Sequence, residues 1–186
     1  MSDKIIIIGG SAGSFSVVTK ILSLLPKNYN TPIILCMHRL KHVRHGFAEA
    51  LSIISKNPII EPNDKEKIQH GNVYLAPANY HLYISPDLTF SLTTEEPINH
   101  SRPSIDVTFT SAASVYRDRV IGIILSGANS DGACGMKMIN DFGGIAISQD
   151  PQECQVNTMP KSAIKLANIE NIYTTNQIID YILKVS

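Results

Sequence analysis

The chain has 186 residues, 44% of them hydrophobic and 17% charged, and its 16 Lys and Arg balance its 16 Asp and Glu. That length suits one domain with a full core, residues 1–186, and the balanced charge makes neither a nucleic-acid-binding surface nor a disordered charged tail the default reading. The longest apolar runs fall far short of the roughly 20 residues that insert into a membrane; no export signal follows Met1, and three cysteines without a C-x-x-C pair fit free thiols in a reducing, cytoplasmic setting.

Residues 5–8, an unbroken run of isoleucine, are expected to form a strand buried on both faces. Gly9-Gly10-Ser11-Ala12-Gly13 turns the chain, and Val18, Ile21, Leu22 and Leu25 then recur at helical spacing until Pro26 stops them. Residues 33–37 repeat the strand pattern, followed by a helix presenting Phe47, Ala50, Leu51 and Ile54 on one face. Residues 72–75, 80–84 and 88–92 read as short strands, the last two joined at Ser85-Pro86-Asp87. Helical period returns after Ser104 with Ile105, Phe109, Ala112 and Tyr116, and residues 120–125 form a second continuous apolar strand. Residues 127–132 turn into a helix carrying Ala133, Met136 and Ile139, which Gly143-Gly144 ends. A strand over 145–148, a proline-opened helix over 160–167 and a last helix over 176–183 complete the chain. This alternation predicts an α/β fold: a doubly wound, mainly parallel sheet flanked by helices, with an inserted β-hairpin.

In open parallel sheets, ligands and reactive groups gather at the carboxyl ends of the strands, and that rule acts as a filter. Three reactive side chains pass it: Ser11, His38 and Asp131, a nucleophile, a base and a carboxylate. Ser11 stands in a G-x-S-x-G pattern between strand and helix, where glycines permit a sharp turn and the Ala12 N–H is the natural oxyanion donor. The competing reading makes Ser11 a helix N-cap or a phosphate-loop serine, although no Lys follows the glycines and G-x-G-x-x-G spacing is absent. His38 has a structural alternative too, and Asp131, just before Gly132-Ala133, has the form of an N-cap for the helix it precedes. As a triad, the three would run Ser, His, Asp along the chain, unlike the Ser, Asp, His order of α/β-hydrolases. His42 and His45 share a stretch with Arg39, Lys41 and Arg44, whose positive charge disfavours a metal cation, and Cys36 is expected in the core.

An ordered series of stretches resembles the catalytic domain of CheB-type protein-glutamate methylesterases of bacterial chemotaxis. It comprises Ile7-Ile8-Gly9-Gly10-Ser11-Ala12-Gly13, Met37-His38-Arg39, residues 71–77 with Tyr80-His81-Leu82, Arg102-Pro103-Ser104-Ile105-Asp106-Val107, Leu125-Ser126-Gly127 through Asp131-Gly132-Ala133, and Gln149-Asp150-Pro151 with Met159-Pro160. The resemblance implies a Ser/His/Asp triad on Ser11, His38 and Asp131. It also implies hydrolysis of glutamate γ-methyl esters on chemoreceptors or other signalling proteins, with release of methanol and deamidation of glutamine at the same site. No metal or organic cofactor is implied. The chain departs from the family pattern at Ala12, Gly13 and Ser14 after the nucleophile position and at Ala128 and Asn129. It matches an isolated methylesterase domain in length, so the reading is a stand-alone domain without a receiver module, regulated by another protein in trans. The alternative is a catalytically silent binding or regulatory module on the same scaffold.

Overall fold

The isoleucines of the first strand, β1 (Ile5–Gly10), enter two separate cores in alternation. Ile5 and Ile7 pack on one face of the sheet and Ile6 and Ile8 on the other, all four fully buried. Side chains of a strand point to opposite faces in turn, so an unbroken apolar run requires cover on both. Each such burial stabilises the fold by about 2 kcal/mol before conformational entropy is counted. The computed structural model describes residues 4–38 and 46–185. After β1 come α1 (Phe15–Leu24), β2 (Ile33–Met37), α2 (Phe47–Ile54), β3 (Ile59–Ile60) and β4 (Val73–Leu75). A hairpin of β5 (His81–Ile84) and β6 (Phe90–Thr93) follows, then α3 (Ile105–Tyr116), β7 (Val120–Ile124) and α4 (Ala133–Asp141). The chain ends with β8 (Ile145–Gln149), α5 (Thr158–Ala167), β9 (Asn171–Tyr173) and α6 (Thr175–Lys184).

Seven strands form one parallel sheet in the order β3-β4-β2-β1-β7-β8-β9. Side chains of α3, α4 and α5 close one core, and those of α1, α2 and α6 close the other, which is the doubly wound arrangement the sequence predicts. Winding proceeds outward from β1 to β2 and β4, then restarts at β7 and proceeds the other way. The crevice between β1 and β7 is therefore the topological switch point. Register keeps the neighbouring carboxyl ends level, with Gly9 opposite Ile124 and Gly10 opposite Met37.

The hairpin is a separate antiparallel sheet seated on α3: Ile84 N–H donates to Ser111 Oγ at 3.0 Å and Thr108 Oγ1 donates to the Leu82 carbonyl at 2.9 Å. Two short edge strands, β3 and β9, go beyond the sequence expectation. The apolar face expected of α2 is only partly used, since Leu51 is its one fully buried residue and Ile54 remains 36% exposed. Cys36 is buried, as expected. Among the described residues no helix is long and apolar enough to cross a membrane.

Candidate active site

Ser11 leaves β1 at the switch point. Its N–H donates to the Ser126 carbonyl beyond β7 at 2.9 Å, tying the two strand ends together. Its own carbonyl accepts from the Ser14 N–H at 3.1 Å and from the Ser14 hydroxyl at 2.6 Å. Ser14, not Ser11, is the N-cap residue of α1, so the capping alternative for Ser11 does not describe this turn. Gly13 completes the turn with φ 82°, a left-handed value that glycine adopts without strain. Ser126 fastens the loop from beneath: its Oγ donates to the Ala12 carbonyl at 2.7 Å and accepts the Val156 N–H at 3.0 Å. What this leaves is a half-buried Ser11 hydroxyl and an exposed Ala12, whose O–H and N–H respectively have no hydrogen-bond partner among the described residues.

His38 stands at the next strand end, its N–H donating to the Gly10 carbonyl at 3.0 Å. Its Nε2 lies 2.7 Å from Asp131 Oδ2, with the carboxylate wholly buried and the imidazole 12% exposed. The Asp131 carboxylate accepts from five donors. Oδ2 takes His38 Nε2 and the Ile105 N–H (2.8 Å), while Oδ1 takes Ser104 Oγ (2.9 Å), the Asp106 N–H (3.1 Å) and Asn99 Nδ2 (3.2 Å). Burial alone would raise this carboxyl, yet the His38 hydrogen bond and the two backbone N–H donors outweigh it and hold it below the usual aspartate range. An ionised carboxylate only accepts, so Nε2 carries a proton, and in the neutral imidazole the lone pair is then on Nδ1. Among the described residues no hydrogen bond joins His38 to Ser11; the hydroxyl at Nδ1 is that of Ser101, 3.3 Å away.

The N-cap expectation for Asp131 is corrected by these contacts. Gly132 is the N-cap residue of α4, with φ 94°, and Asp131 turns instead toward the N-terminus of α3. There the unpaired backbone N–H groups and helix dipole favour a negative charge, so the fold itself supplies an electrostatic seat for the carboxylate.

Sequence reasoning missed the residues around this pair. Ser104 is the N-cap of α3, accepting the Val107 N–H while donating to Asp131. Behind it lies a fully buried His81, whose Nδ1 accepts the Ser104 N–H at 3.2 Å and whose Nε2 faces the Glu96 carbonyl at 3.0 Å. Asp106 adds a second carboxyl near the first. Burial, reinforced by the charge of Asp131, raises it despite hydrogen bonds from Gly135 and Asn99. Ser104 and His81 lie within the motif stretches of the sequence, which marked their positions without disclosing their partners. His42 and His45, with Arg39, Lys41 and Arg44, lie outside the described residues.

Residues 6–182 match the family described as CheB methylesterase. A Leptospira interrogans protein provisionally named protein-glutamate methylesterase/protein-glutamine glutaminase is 40% identical over 185 residues, covering 100% of this chain and 96% of its own length. An Archaeoglobus fulgidus protein-glutamate methylesterase/protein-glutamine glutaminase is 34% identical, and the match spans 98% of this chain but 53% of that protein. Among solved structures, the Thermotoga maritima CheB methylesterase catalytic domain superposes with a TM-score of 0.94 at 31% identity, with both chains covered in full.

Proposed function

This chain belongs to the CheB methylesterase family, and we propose that it hydrolyses γ-methyl esters of protein glutamate side chains with Ser11 as nucleophile, His38 as general base and Asp131 orienting His38. The observation that carries the reading is the 2.7 Å contact between His38 Nε2 and a buried Asp131, one strand end away from an unengaged serine hydroxyl. With Nε2 committed to Asp131, Nδ1 is the nitrogen free to take a proton. As Ser11 Oγ bonds to the ester carbonyl carbon, its proton passes to Nδ1, and the Nε2 side of the resulting imidazolium is stabilised by Asp131. The carbonyl oxygen becomes an oxyanion within reach of the exposed Ala12 N–H. Collapse of the intermediate expels methanol, which takes the proton from Nδ1 and leaves a glutamyl-serine ester. Water, deprotonated by the same nitrogen, then attacks this ester, and Nδ1 returns that proton to the departing Ser11 Oγ as glutamate is released. A glutamine amide follows the same course with ammonia as leaving group, which accounts for glutaminase activity at one site.

The Ser11–His38 contact closes when substrate is bound, as catalytic hydrogen bonds often do. The intended substrates are methylated chemoreceptors or other signalling proteins in the cytoplasm. A fluorophosphonate probe tests the chemistry: the wild-type chain becomes labelled and Ser11→Ala does not. An unlabelled wild type, or labelling that survives the substitution, overturns the reading in favour of a silent binding module.

A further inference from the structure

The tight turn between Ile98 and Ser101 grips both members of the acid–base pair. Ile98 and Ser101 exchange backbone hydrogen bonds at 3.2 and 2.9 Å, and the two residues between them, Asn99 and His100, have φ of 51° and 62°. Two successive left-handed residues closed by such a pair make a type I′ turn, a geometry with little freedom to drift. From its first left-handed residue, Asn99 Nδ2 donates to Asp131 Oδ1 at 3.2 Å and to Asp106 Oδ2 at 3.0 Å, bridging the two carboxyls. From the residue that closes the turn, Ser101 Oγ lies 3.3 Å from His38 Nδ1. The next residue anchors the turn, since Arg102 Nη1 donates to the carbonyls of Thr94 (2.6 Å) and Glu95 (2.9 Å).

We propose that Ser101 is a positioning residue that holds the His38 ring before and between the proton-transfer steps. The inference rests on the reading of Ser11, His38 and Asp131 given above. A hydroxyl both donates and accepts. While His38 is neutral, Ser101 O–H donates to the Nδ1 lone pair. Once Nδ1 has received the Ser11 proton, the Ser101 hydroxyl rotates and accepts from Nδ1–H, keeping its own proton throughout. At 3.3 Å the contact is long enough to yield to the Ser11 hydroxyl on attack and to the methanol oxygen on departure. Asp131 fixes one ring nitrogen and Ser101 steadies the other, so the ring keeps its orientation from one proton transfer to the next.

Methyl ester cleavage needs that proton delivered, because methoxide is a poor leaving group, whereas p-nitrophenolate departs without one. The test measures wild type, Ser101→Ala, Ser101→Thr and Ser11→Ala on a helical peptide carrying a glutamate γ-methyl ester and on p-nitrophenyl acetate. For Ser101→Ala, kcat on the methyl ester is expected to fall about tenfold with KM within about twofold, as a small misplacement of a catalytic group does. The loss on p-nitrophenyl acetate is expected to stay below about threefold, and Ser101→Thr, which keeps the hydroxyl, to restore methyl ester turnover. Wild-type kcat in Ser101→Ala, or equal losses on both esters that Thr does not restore, overturns the proposal. If Ser11→Ala retains methyl ester hydrolysis, the underlying catalytic reading fails; if Ser11→Ala is inactive and Ser101→Ala is not impaired, only the role of Ser101 fails.

Discussion

Asp131 accepts the backbone N–H of Ile105 at 2.8 Å, which places its carboxylate at the start of α3 rather than of the helix that follows it in sequence. The contact joins the loop after β7 to the helix N-terminus that precedes β7, and His38 closes the arrangement from β2. A negative charge that would be costly to bury alone is satisfied by five donors before any substrate arrives.

Asp131→Asn tests this seat. An amide nitrogen in place of either oxygen faces donors instead of accepting from them, so stability measured by urea unfolding at neutral pH should drop by about 2 kcal/mol or more. Turnover should fall about a thousandfold or more, because asparagine no longer enforces a proton on Nε2 and a lone pair on Nδ1. Rate and stability are separated by assaying under conditions where the variant is fully folded.

The acid limb of stability follows from two carboxyls of opposite sign. Asp131 is held below the ordinary 3.8, so the folded state binds its proton less readily than the unfolded chain does. Its contribution is therefore complete above 3.8 and is lost as pH falls through the depressed folded value. Asp106 is raised, so its ionised form costs stability above its folded value, and protonation relieves that cost on the way down. Urea unfolding of wild type and Asp131→Asn across pH should show a stability gap that is constant above about pH 5 and narrows below it. A gap unchanged into strong acid would mean that Asp131 is not ionised in the fold.

Gly132→Ala probes the turn that presents Asp131. At φ 94° an alanine is strained, and its Cβ would lie 2.7 Å from Ile105 Cγ2 and 2.8 Å from Ile124 Cδ1. The expected loss is about 2 kcal/mol, read as a lowered Tm. Activity should fall further than stability explains, since both crowded side chains border the α3 N-terminus and β7. An unchanged Tm would show that the turn relaxes freely.

Much of this was legible in the chain because buried parallel strands announce themselves. Residues 5–8 and 33–37 read directly as strands, and their carboxyl ends name Ser11 and His38. The edge strands escaped notice for the complementary reason. Ile59–Ile60 has only two residues between Pro58 and Glu61, and Asn171–Tyr173 has three, none of them fully buried, so neither carries a continuous apolar signature. Capping logic misjudged Asp131 because it consults only neighbours along the chain, whereas the donors to this carboxylate come from residues 25 to 32 positions earlier and from His38, 93 positions earlier. Asn99 and Ser101 were invisible for the same reason: their partners are fixed by the fold and not by local pattern.

The central claim is that Ser11 carries the ester chemistry, and methanol release measures it most directly. Methylated receptor protein from the same cell, incubated with the purified wild-type chain, should release methanol, and Ser11→Ala should release none above background. The variant should unfold within about 0.5 kcal/mol of wild type, because the Ser11 hydroxyl bonds to nothing among the described residues. Methanol released equally by wild type and a folded Ser11→Ala would contradict the account.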